Sequence, residues 1–135
     1  MNILTNYNEL KDTLSKNSYK ISERYTYLEK AVDSECILAS YGKNIFDKTA
    51  NQELYLIAKT KFFVVTWDPF VMKTYRTKDI IDIELILKSC YEISMKINLS
   101  NGVIIELDNK KDCNEDWQEE YYEYILQVNK TLTSL

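Results

Sequence analysis

The chain has 135 residues, 45% hydrophobic and 28% charged, with a formal net charge of −4. That is the balance of one compact domain rather than a disordered or membrane-spanning chain. It contains no histidine, one proline (Pro69) and two glycines, Gly42 and Gly102. Imidazole-based nucleophilic machinery and glycine-rich phosphate loops are therefore excluded.

Residues 1–34 read as helical. Ile3, Tyr7, Leu10 and Leu14 draw one apolar stripe, and Ile21, Tyr25, Leu28 and Val32 draw a second. Asn17-Ser18 marks a break between them, with Ser18 or Ser22 as the cap of the second helix. The period then changes. Residues 35–41, 53–59 and 62–67 are short strand-like runs, the last rich in aromatic and β-branched side chains. Asp68-Pro69 signals a turn, with proline fixing the second turn position. Residues 70–76 lead back. Residues 80–87 form the next strand, with Asp82 and Glu84 alternating against Ile81, Ile83 and Leu85. Residues 90–99 alternate strictly, the mark of a strand with one buried and one wet face. Ser100-Asn101-Gly102 turns the chain, and residues 103–107 return. Trp117, Tyr121, Tyr124, Ile125, Val128 and Leu132 stripe a final helix, for which Asn114 is the expected N-cap and Glu115 and Asp116 suit the dipole.

The expected architecture is α+β: a helical N-terminal extension (residues 1–34) on a domain of about seven antiparallel strands with a C-terminal helix (residues 35–135). The strand order resembles the pleckstrin-homology-like (PH-like) split barrel. Bacterial PH-like domains are similar in three places. These are Thr60-Lys61-Phe62-Phe63 before a hairpin, Tyr75-Arg76-Thr77-Lys78-Asp79-Ile80-Ile81 entering a strand, and the Asn101-Gly102 hairpin. The likeness spans roughly residues 35–133 and departs in the N-terminal extension and the single central proline. It implies a binding or scaffold module rather than an enzyme. The richness in Lys, Asn, Ile and Tyr resembles the codon bias of AT-rich genomes, pointing to a low-GC bacterium or its phage.

Phe62–Trp67 is apolar on both faces, so one face fills the sandwich and the other needs a cover, either the N-terminal helices or a second subunit. The leading expectation is a non-catalytic cytoplasmic interaction module. It binds a protein partner or itself through that second face and through Trp67 and Phe70 at the hairpin tip. The alternative is an anion site for a lipid headgroup or phosphate on a peripheral anionic membrane. It is built from Lys59, Lys61, Lys73, Arg76 and Lys78, five cations in a stretch whose only acid is Asp68. The register expected for the hairpin places Lys61 near Arg76 or Lys78. An enzyme is the third class, disfavoured because no nucleophile–base pair can be named.

The remaining features read as structural. Cys36 and Cys90 lie in apolar runs and are expected to be small core residues; Cys113 sits among acids that raise its thiol pKa. Three scattered thiols with no histidine imply no metal centre, and no cofactor is expected. In the carboxylate-rich stretch Asp108, Asp112, Glu115, Asp116, Glu119, Glu120 and Glu123 no calcium loop is present, and Glu115, Glu119 and Glu123 read as a solvated helix face whose one functional version docks a basic partner; Tyr121, Tyr122 and Tyr124 read as core or rim. No nucleic-acid partner is expected of an acidic chain. The first residues lack the basic start and apolar stretch of a secretory signal.

Overall fold

Asn6 opens the first helix by accepting from the backbone N–H groups of Asn8 and Glu9 at 3.0 and 3.2 Å. In the computed structural model, which describes residues 5–16, 18–46, 51–88 and 90–135, α1 spans Tyr7–Lys16 and α2 spans Tyr19–Ala31. Ser18 is the cap of α2, its hydroxyl accepting from Ile21 N–H at 3.3 Å. Ile3 and Asn17, parts of the expected first stripe and break, lie outside the described residues.

Seven strands follow: β1 (Ala39–Lys43), β2 (Glu53–Ile57), β3 (Lys61–Trp67), β4 (Phe70–Arg76), β5 (Ile80–Leu87), β6 (Ile93–Leu99) and β7 (Ile104–Asp108). They form two antiparallel sheets, β1-β2-β3-β4 and β5-β6-β7, with α3 (Gln118–Thr133) at the C-terminal end. The chain is thus α+β with an antiparallel four-stranded sheet, a three-stranded sheet and a terminal helix. No ladder joins the two sheets among the described residues.

Pairing assigns the faces. In the four-stranded sheet, Ala39, Tyr41, Tyr55, Ile57 and Phe62 point inward. They share one core with Ile93, Met95, Ile97, Ile105 and Leu107 of the other sheet and with Tyr121, Ile125 and Val128 of α3. The opposite face carries Leu54, Leu56, Phe63, Val65 and Trp67, all buried. The N-terminal helices cover it. Leu10 of α1 packs over Gly42, and Tyr25 of α2 stands 5.6 Å from the Trp67 ring. Of the two covers the sequence allows, the chain supplies its own.

Several expected boundaries move. Residues 34–36 form a 3-10 turn capped by Asp33, so the first strand starts at Ala39 and Cys36 is exposed. Residues 90–92 belong to the β5–β6 turn. Cys90 and Tyr91 have φ of 53° and 58°, a left-handed pair that no strand accommodates, and Cys90 is exposed. Neither thiol is the core residue expected. Ile81 sits in a register irregularity between Ile80 and Asp82, which turns it outward to 67% exposure instead of onto the face of Ile83 and Leu85. Asn114 caps a 3-10 turn, Glu115–Trp117, that leads into α3. The Asn101-Gly102 hairpin forms as expected, with Gly102 at φ 87° and Leu99 N–H donating to Val103 O at 3.0 Å.

Candidate functional site

The β3–β4 hairpin places both sets of sequence-derived candidates. Trp67 pairs directly with Phe70, leaving Asp68-Pro69 as a two-residue loop. Pro69 follows a cis peptide bond and is the third residue of the turn, not the second. Trp67 does not project from the tip: it is 6% exposed, because α2 lies on it. Arg24 donates to the Trp67 carbonyl and, at 3.1 Å, to Asp68, and its guanidinium stands 5.5 Å from the Phe70 ring. Lys20 reaches the same Asp68 oxygen at 3.1 Å. These two hydrogen bonds hold the Asp68 carboxyl below its usual range. Phe70 keeps 38% exposure. The same latch lines a cleft of about 750 Å³ with Ile21, Lys43, Gln52 and Glu53. Its charged groups already pair with one another.

The five basic candidates are all exposed, but they do not form one patch. Lys61 pairs with Arg76, as the expected register requires, and the two share the helix-covered face at the end remote from the tip. Thr77 N–H donates to Thr60 O at 2.9 Å and the Thr77 hydroxyl to Lys59 O at 3.1 Å, which draws Lys59 and Lys78 to the same end. Lys73 pairs with Val64, so the pleat sends it to the opposite face. Arg76 is already engaged by Asp79, at 2.8 Å from Nε. Among the described residues, Lys59, Lys61, Lys73 and Lys78 have no ion-pair partner within 4.0 Å.

The two flanks of the sandwich differ. The β1/β7 flank is sealed by a buried polar network. Tyr41 OH donates to Asp112 Oδ2 at 2.7 Å, and the backbone N–H of Asp108 donates to the same oxygen at 2.8 Å. Lys43 Nζ donates to Glu106 O at 2.6 Å, and Asn44 N–H donates to Asp112 O at 2.7 Å. Tyr121 OH donates to the Gly42 carbonyl. Burial, opposed by Lys43, raises the Asp112 carboxyl. Burial first, then Asp112, pushes the Cys113 thiol up to about 12, so this thiol is inert as a nucleophile.

The β4/β5 flank is open. Each of these strands is the outer strand of its sheet. Beside Phe70, β4 exposes Val71, and β5 exposes Ile81, Ile86 and Leu87, the last at 61%. These exposed apolar side chains, on two strands whose outer edges have no ladder partner among the described residues, were not anticipated from sequence. The signal was present in part: β5 has isoleucines on both faces. Which strands end at a sheet edge depends on long-range pairing. The Arg24–Asp68 latch had no local signal, its partners lying 44 positions apart.

Compared with known proteins, the chain matches no family model and no curated sequence. No helix among the described residues is long and apolar enough to cross a membrane.

Proposed function

We propose that this chain is a non-catalytic interaction module on a PH-like sandwich, binding a protein partner or a second copy of itself. The strand order of four plus three followed by a helix supports the PH-like assignment. The observation that carries the binding function is the β4/β5 flank, where exposed apolar side chains accompany two strand edges that have no ladder partner among the described residues. The apolar face named in the sequence analysis is occupied by the protein's own α1 and α2, so the docking surface moves to this flank. Light scattering of the full chain at two concentrations is expected to show a mass that rises with concentration; a mass fixed at 16.0 kDa counts against self-binding.

A second reading has its own observation. Lys59, Lys61 and Lys78, with Arg76, crowd one end of the β3–β4 hairpin with a single carboxylate, Asp79, among them. Such a surface suits an anionic headgroup or phosphate. Sedimentation with anionic liposomes is then expected at low salt, lost at high salt and lost in the Lys61→Glu, Arg76→Glu variant. Binding indifferent to both removes this reading.

A further inference from the structure

We infer that the partner of the open flank is a second copy of this chain, held by reciprocal pairing of β4 with β5 across a twofold axis. This rests on the interaction-module reading and names its surface and occupant.

Three observations converge. First, β4 and β5 have similar lengths, seven and eight residues, and each leaves one edge without a partner strand among the described residues. A twofold axis along the open flank sets β4 of one copy beside β5 of the other, and the same operation repeats the pair on the far side. The assembly closes on itself and leaves neither of these edges free.

Second, charge chooses this pairing over its rivals. On the outer face of β4 the cation is Arg76, with Lys61 one strand behind, while Lys73 lies on the inner face; β4 has no acid. The acids of β5 are Asp82 and Glu84, and β5 has no cation. Pairing β4 with β4, or β5 with β5, sets like charges across a ladder, which is destabilising; only β4 against β5 sets opposite charges together.

Third, the faces agree. Rotation about that axis keeps both inner faces turned to the interior. Val71 and Tyr75 of β4, with the exposed Lys73 between them, then continue the surface of Ile83, Leu85 and Leu87 of β5. Leu87, 61% exposed on the inner side of its sheet although its ladder partner Ile93 is buried, gains a cover. On the outer surface, Lys61 and Arg76 come alongside Asp82 and Glu84.

The test is a charge swap read by sedimentation velocity from about 1 to about 100 μM, the range in which a modest interface is measurable. Wild type is expected to dimerise, more weakly as salt rises. The variant Lys61→Glu, Arg76→Glu and the variant Asp82→Lys, Glu84→Lys each dimerise at least about tenfold more weakly alone. Mixed in equal amounts they recover a heterodimer, since acidic β4 then meets basic β5 on one side and native basic β4 meets native acidic β5 on the other. All four positions are exposed or half-exposed, and circular dichroism checks that both variants fold. Failure of the mixture to recover, or a homodimer that neither variant weakens, overturns the β4–β5 pairing while leaving self-binding by another surface. A wild type that stays monomeric throughout overturns the pairing and self-binding together.

Discussion

Asp112 is a carboxyl taken out of water where it bonds β1 of one sheet and β7 of the other, and burial raises its pKa despite Lys43 and the bonds from Tyr41 and Asp108 N–H. The sign of its pH effect follows. A carboxyl with a raised folded-state value favours folding fully below its unfolded value of about 4. That contribution is lost as pH rises through the folded value. Asp112→Asn keeps an oxygen to accept from Tyr41 and Asp108 and removes the titration. The stability of this variant relative to wild type is expected to improve in urea unfolding as pH rises above the unfolded value of about 4 and to level off past the folded value; a difference that stays flat or shrinks refutes the account. Tyr25 gives the converse case. Its ring is packed between Tyr7 and Trp67, yet its hydroxyl is buried with no hydrogen-bond partner among the described residues. An unsatisfied buried hydroxyl costs about 1–3 kcal/mol, so Tyr25→Phe is expected to stabilise the protein by about 1 kcal/mol. Thermal unfolding checks it, and a loss of stability reveals a role for the hydroxyl.

Elements whose signal is local were legible. The helix stripes from Tyr7 onward, the Ser18 cap, the Lys61–Arg76 register and the Gly102 hairpin all follow from short-range patterns, and all are in the structure. What failed was the alternation read through residues 90–92. A tyrosine and a cysteine keep period two on paper, but both take left-handed φ, and the alternation of apolar residues does not report that. Likewise Trp67 reads as an exposed tip until α2, more than forty positions earlier, is laid on it. The basic cluster was legible as composition, while the pleat that sends Lys73 to the other face became visible only with the register. Gly42 shows what packing adds to an element. It lies mid-strand, where glycine is otherwise unfavourable. A Cβ there meets the Ile45 side chain at once and lies 3.6 Å from Leu10, so close approach of α1 and the chain after β1 requires glycine. Gly42→Ala is expected to cost about 1–3 kcal/mol through overpacking. Urea unfolding measures this, and a neutral result shows that Ile45 can move aside.

At the scale of the molecule, the four-stranded sheet is apolar on both faces, and the two covers differ in kind. The inner cover, formed by β5–β7 and α3, is tied in by the buried network along β1 and β7. The outer cover is α1 and α2, fixed by apolar contacts through Leu10, Leu14, Tyr25 and Leu28 and, at its exposed rim, by Lys20 and Arg24 on Asp68. Exposed ion pairs of this kind contribute little, so the apolar contacts hold the helices. Those contacts are also what the sheet requires: without them Leu54, Leu56, Phe63, Val65 and Trp67 become one continuous surface, of the kind that drives association. A chain starting at residue 33 keeps all seven strands and α3 but is expected to aggregate or bind a hydrophobic dye strongly. Asp68→Ala, which removes only the rim pairs, is expected to remain soluble with a stability change under about 1 kcal/mol. Dye fluorescence and light scattering of the two proteins side by side decide the matter. If the truncated chain stays monomeric and dye-silent, the helices are an accessory; if Asp68→Ala exposes the sheet as the truncation does, the rim pairs rather than the apolar stripe hold the cover in place.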